Sequence, residues 1–161
     1  MDLAKALLSG NANYAIASLP LTLFLSALPH WYTIYLAESN KVQGGWTNEN
    51  PRAFVARLNA KAASGKKLSD LESMILRGQS AQQNGFEWWA VWAVAAALGT
   101  WAKIPQDQMF RYTAIHVVSR AIYSYLYVVT SSRKGSYLRT LVFQVSIYPA
   151  VAIFFKAALA L

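Results

Sequence analysis

Apolar residues gather in four long stretches: Tyr14 to Leu36, Ala81 to Ala102, Phe110 to Val129 and Tyr137 to Phe155. Each reaches the roughly 20 predominantly apolar residues that a helix needs to cross a bilayer. A soluble four-helix bundle keeps a polar face on every helix, and Leu19 to Leu28 and Trp88 to Leu98 have none. The pattern predicts an all-α integral membrane protein: four transmembrane helices in one bundle, forming a single domain over residues 1–161. Pro20 and Pro29 fall inside the first stretch, where membrane helices tolerate proline because neighbours re-satisfy the freed carbonyls. That stretch is too long for the apolar core of a signal peptide, and only Lys5, offset by Asp2, precedes it as charge.

One sizeable segment, the loop over residues 38–77, lies outside the apolar stretches. Gly44-Gly45 and Asn50-Pro51 are turn signals within it. Pro51 to Ala63 reads as a short basic amphipathic helix, with Phe54, Val55 and Leu58 facing the lipid surface. Ser69-Asp70-Leu71-Glu72 has the spacing of a helix start, so the second long helix begins near Leu71, before its apolar part.

Composition agrees with the pattern: the chain is 55% hydrophobic and 14% charged, against roughly 45–50% and ~25% in soluble domains. Disorder is excluded. Without cysteine there is no disulfide, thiol nucleophile or zinc-thiolate site. The net charge of +8 is a matter of placement. Lys41, Arg52, Arg57, Lys61, Lys66, Lys67 and Arg77 fall in the first connection, and Arg133, Lys134 and Arg139 in the third. Lys5, Lys103, Arg111 and Lys156 lie on the other side. This asymmetry puts the two basic loops in the cytosol and both termini outside it, in a lumen if the cell has one; the expected membrane, in a eukaryotic cell, is the endoplasmic reticulum. Nucleic acid is not an expected partner, since no stacking aromatics interleave the basic loop.

Ionisable groups inside a membrane span are costly and carry a functional hypothesis by default. At about 100° per residue, Arg77, Ser80, Asn84 and Glu87 share an arc of roughly 80° on the second long helix. His116, Arg120, Tyr123, Tyr127 and Lys134 share roughly 60° on the third. At ~1.5 Å per residue the two stripes meet in depth, and Glu87 is expected to pair with Arg120. Asn84 falls level with Tyr123 and Tyr127, while Arg77 and Lys134 rim the mouth. The product is an anion-binding polar cleft, open to the cytosol and reachable from lipid. The plainer alternative is that these side chains only fasten helices to one another.

The run Arg77-Gly-Gln-Ser-Ala-Gln-Gln-Asn84-Gly-Phe-Glu87 resembles the second-helix signature of the MAPEG family, the membrane-associated proteins of eicosanoid and glutathione metabolism. Arg120-x-x-Tyr123-x-x-x-Tyr127 resembles its third-helix signature. Size, four spans and the long first loop fit as well, so the resemblance covers essentially the whole chain. It implies a homotrimer, with glutathione held in a polar cleft between neighbouring subunits. By position, Arg77, Gln82, Asn84, Glu87, Arg120, Tyr123 and Tyr127 would line that cleft. The implied chemistry is attack of a glutathione thiolate on a lipophilic electrophile arriving from the bilayer, with Arg133 or Lys134 favouring the thiolate. Glu87 and Tyr123, with Arg120, are candidate catalytic groups for acid–base chemistry without glutathione. Two positions depart from the family pattern. Ser80 stands where glutathione-using relatives commonly have Arg, and Lys134 stands at the thiol-activating Arg, without the bidentate fork. Either glutathione binds in an altered manner or the cleft serves another ligand.

The two histidines, His30 and His116, have no cysteine or carboxylate cluster around them, so no metal site is expected. Both remain candidate substrate contacts, His30 also as an interfacial anchor. Trp88 and Trp92, one turn apart, are candidate walls for an apolar substrate or a cation. Trp31, Tyr32, Tyr35, Trp89 and Trp101 suit membrane-interface belts. Three functional classes stay open. The first is a glutathione-dependent transferase or isomerase. The second is a glutathione-independent acid–base isomerase, cyclase or epoxide-opening enzyme of terpenoid-like biosynthesis, and the third a non-enzymatic membrane scaffold.

Overall fold

The computed structural model describes residues 12–160 together with Asp2 and Lys5; the other positions at the two ends of the expected domain lie outside the described residues. The described elements are α1 (Tyr14–Ser39), a 3-10 turn (Val42–Gly44), α2 (Pro51–Ala63), α3 (Asp70–Trp101), α4 (Gln106–Val129) and α5 (Arg133–Ala160), with no strand among them. Four of these helices run 26, 32, 24 and 28 residues, or about 36–48 Å at ~1.5 Å per residue. α1 packs against α3 and α4, and α5 against α4 and α3.

The distribution of polarity is not that of a soluble bundle: besides an apolar core, polar side chains are buried and many large apolar ones are exposed. Phe24, Trp31, Val94, Val118, Leu141 and Phe155 are exposed, while Ser18, Thr22, Ser26, Thr33, Thr113 and Arg120 are buried. Only α5, among the described helices, is apolar enough on hydropathy alone to cross a membrane. The other long helices dilute their hydropathy with these inward-facing polar side chains. On α1 the buried hydroxyls donate to carbonyls of their own helix, Thr22 to Ser18 at 3.0 Å and Ser26 to Thr22 at 2.8 Å, so they enter the interior satisfied. α1 also continues through Pro20 and Pro29.

Small residues set the α1–α3 distance. A β-carbon added at Gly85 would stand 3.0 Å from the Ser26 Cα, and one at Gly78 would collide with the Thr33 Cγ2 and stand 3.1 Å from the Pro29 carbonyl oxygen. Close backbone approach of this kind lets membrane helices gain van der Waals contact that lipid does not supply.

Three of the helix starts have a local cause. The Asn13 side chain accepts from the Ile16 amide, Asn50 accepts from Ala53 with Pro51 in the first turn, and Ser69 and Glu72 form a reciprocal capping box. α2 occupies Pro51–Ala63 but does not turn its apolar residues to lipid. Phe54 and Leu58 are fully buried against Ala37 and Ile75, with Trp46 and Leu71 packed around them. An apolar stripe must be covered, and here the chain's own α1 and α3 cover it.

Glu72 ties this region together. Its carboxylate accepts from Lys61 Nζ at 2.8 and 2.7 Å, from Gln43 Nε2 at 2.8 Å and from the Ser69 amide at 2.8 Å. The Lys61 ammonium foremost, then the Ser69 amide and Gln43, hold its pKa down at about 2.

Candidate functional site

The two polar stripes do converge, but through partners other than those expected. Arg120, on α4 and only 6% exposed, donates from both terminal nitrogens to the Asn84 side-chain oxygen on α3, at 3.0 and 3.1 Å. Its second nitrogen also reaches the Asn84 carbonyl at 3.4 Å. Glu87 is not its partner. That carboxylate is exposed and accepts from Gln83 on its own helix at 3.1 Å. Asn84, three residues earlier on the stripe, meets the guanidinium first. No carboxylate of the described residues pairs with Arg120.

Aromatic rings extend the cluster. The Arg120 guanidinium carbon lies 4.8 Å from the Tyr123 ring centre, within cation–π range. Tyr123 meets Tyr127 edge-on at 5.5 Å and tilts against Phe143 at 5.3 Å. Trp88 completes the row, edge-on to Phe143 at 5.3 Å. Arg139 on α5 caps it, its guanidinium 4.2 Å from the Tyr127 ring centre. Sequence reasoning used Arg139 only as a topological charge and passed over Phe143. Their i, i+4 spacing on α5, one turn apart, was the available signal.

Other expected site residues lie elsewhere. Arg77 is tied down, donating from Nε to the Val128 carbonyl at 2.9 Å, which staples α3 to the last turn of α4. Lys134 does not continue the α4 stripe, because α4 ends at Val129; Arg133 and Lys134 are exposed in the first turn of α5. Trp92 belongs to the core and does not wall a substrate. It is fully buried, stacked on His116 at 4.2 Å, and donates to the Ser18 hydroxyl at 2.9 Å. His116 is likewise internal, its Nδ1 2.9 Å from the Ser146 carbonyl oxygen.

One sizeable concavity is separate from the Arg120 cluster. A cavity of 670 Å³ between α1, α2 and α3 is lined by His30, Trp46, Arg52, Gln79, Gln82 and Gln83, among others, with Ser80 also on its wall. His30 is fixed there, its Nδ1 3.0 Å from the Gln79 side-chain oxygen and its ring edge-on to Trp46. A second groove of 470 Å³ runs between α1 and α4 and is almost wholly apolar, lined by Leu25, Leu28, Pro29, Tyr32 and Val129 among others. The row runs from buried Arg120 and Tyr123 out to half-buried Tyr127 and Arg139, and none of these residues lines either hollow. In chemical terms it offers guanidinium groups from two helices, a neutral amide, two phenols and a flanking carboxylate, a set suited to an anionic, partly apolar ligand.

No curated protein and no solved structure gives a significant match to the chain. A model of the MAPEG family matches residues 14–159, which takes in all four long helices and both converging stripes. The chain belongs to the MAPEG family and is a membrane protein of that family.

Proposed function

We propose that this chain is a membrane enzyme that uses the Arg120 row to bind an anionic thiol of the glutathione class and to join it to a lipophilic electrophile. The observation that carries the reading is Arg120 itself: a buried guanidinium with an amide and a phenol face as partners and no carboxylate. A cation so placed is under-compensated, and a ligand carboxylate beside it would complete the pairing. In this reading α1, α3, α4 and α5 all cross the bilayer, with the α2 loop and the α4–α5 turn in the cytosol. Three chains assemble, so that the outward-facing row of one copy becomes a cleft against the next.

The thiol chemistry needs a thiolate, which nearby cations favour by stabilising the negative charge. Arg139, Arg133 and Lys134 supply that charge at the mouth. The thiolate sulfur forms a bond to the electrophilic carbon. For an epoxide the carbon–oxygen bond breaks and the oxygen takes a proton, for which the Tyr123 hydroxyl is the candidate donor in this reading.

Titrating the purified full chain in nanodiscs with glutathione, and following thiolate absorbance near neutral pH, tests this. Saturable binding that is lost in Arg120→Leu supports it. No binding at millimolar glutathione removes it. A second reading rests on Ser80, which leaves out a cation common in glutathione-using relatives, and on the exposed Glu87. Here Glu87 and Tyr123 perform acid–base isomerisation or cyclisation of a terpenoid-like substrate without any thiol. Turnover of a lipophilic epoxide or polyene in the absence of thiol, silenced by Glu87→Gln, would select it.

A further inference from the structure

Beside Arg120, at the meeting of α1, α3 and α4, lies a small, partly open hollow of 10 Å³. Its wall includes Thr22, Ser26, Gly85, His116, Arg120 and Ser124. A space of roughly 10–15 Å³ holds one water, provided two to four polar groups can bond to it. The wall meets that requirement. Thr22 and Ser26 spend their protons on carbonyls of α1, leaving their hydroxyl oxygens as acceptors. His116 Nδ1 faces the Ser146 carbonyl, which can only accept. The proton therefore sits on Nδ1, and Nε2 carries a lone pair. The remaining polar atoms, Arg120 Nε and the Ser124 hydroxyl, make no hydrogen bond to protein, and neither does His116 Nε2. Yet every fully buried side-chain nitrogen or oxygen among the described residues has a partner. These three atoms are therefore reachable by a water-sized probe, and the hollow is the space that all three side chains border, Ser124 also bordering the apolar groove between α1 and α4.

We propose that the hollow is a structural water site, and that through this water His116 acts as a positioning residue for Arg120. The water accepts from Arg120 Nε and the Ser124 hydroxyl. It donates to His116 Nε2 and to the hydroxyl oxygen of Thr22 or Ser26. The guanidinium is then fixed at its outer edge by Asn84, on its face by Tyr123 and at its inner edge by the water. His116 itself is fixed by Ser146 and by the Trp92 stack, so the α1 and α5 packing is relayed to the orientation of Arg120. Gly85 contributes by having no side chain: an added β-carbon there would come within 3.0 Å of the Ser26 hydroxyl oxygen.

The effect on ligand binding rests on the function proposed above, whereas the water and its coupling to Arg120 do not, so the test has two parts. First, a density map of the full chain in nanodiscs, at a resolution that shows ordered waters, is expected to show one between His116 and Arg120. In the same preparation, the ¹⁵N resonance of Arg120 Nε is expected to move in His116→Phe, which keeps the stack on Trp92 but loses the acceptor. It is expected to return toward its original position in His116→Gln, and to move again in Ser124→Ala, a milder change that keeps the fold if the Phe variant does not. An empty hollow in the map, or an Arg120 resonance unchanged in both His116→Phe and Ser124→Ala, overturns the proposal. Second, glutathione affinity is expected to fall about tenfold in His116→Phe and to recover in His116→Gln. A water and a moved resonance with no glutathione binding in any form would leave this inference standing and remove the function.

Discussion

Replacing Asn84 by alanine would strip Arg120 of its side-chain acceptor and leave a buried guanidinium facing a phenol and one backbone oxygen. The expected loss is about 1–3 kcal/mol of stability, read as a lower unfolding midpoint in detergent. Glu87→Gln, at an exposed position bonded only along its own helix, is expected to stay within about 0.5 kcal/mol of the unaltered chain. The reverse ranking would restore Glu87 as the partner of Arg120. Sequence arithmetic placed both stripes on facing arcs, because 100° per residue is a property of the backbone. It did not choose between Asn84 and Glu87, since they lie one turn apart on the same arc and the choice depends on the helix crossing. A second residue-scale test concerns Glu72. Its carboxyl, held at about 2, lies below the ordinary glutamate value of 4.5. The bond set therefore contributes fully above about pH 4.5 and is lost as pH falls toward 2. Fluorescence of Trp46, beside α2, is expected to report loosening across that window, and Glu72→Gln to abolish the pH dependence.

Among the elements, α1 and α3 depend most on what is missing. At Gly85 the obstacle to a larger side chain is backbone, the Ser26 Cα, which cannot swing aside as a flexible side chain can. Gly85→Leu is expected to cost more than Gly99→Leu, where the nearest atoms are the tip of Met109, in the range of 1–3 kcal/mol that overpacking brings. Comparing the thermal midpoints of the two variants checks this. The extent of α2 was legible because Asn50-Pro51 is a strong local start signal and an apolar stripe repeats along the segment. What covers that stripe was not, because amphipathicity says that a face is buried and is silent on whether lipid or protein buries it. The aromatic pair Trp88 and Trp92 shows the same limit. Spacing put them one turn apart on the same side of the helix, and only packing sends Trp92 into the core against His116 while Trp88 meets Phe143.

At the scale of the molecule, many large apolar side chains face outward, and the row from Arg120 to Arg139 ends on an outer wall. The proposed trimer gives that wall a facing surface. Native mass spectrometry of the full chain is expected to report three copies. A monomer that still binds the ligand would dissociate the site from assembly. Assembly was not readable from pattern, because a helix face turned to lipid and one turned to another copy can carry the same apolar residues.

One stretch offers a practical handle on the whole. Between α2 and α3 the chain passes through Gly65, held at φ +77°, into exposed Lys66 and Lys67 outside any helix. Trypsin would find its first convenient cut there. Severing the chain at that point parts Lys61 from Glu72 in sequence, yet both stay gripped in space by the same clasp and by the burial of Phe54 and Leu58. The two fragments should thus travel together through a sizing column and come apart only on a denaturing gel. The protein could then be supplied as two separately labelled halves.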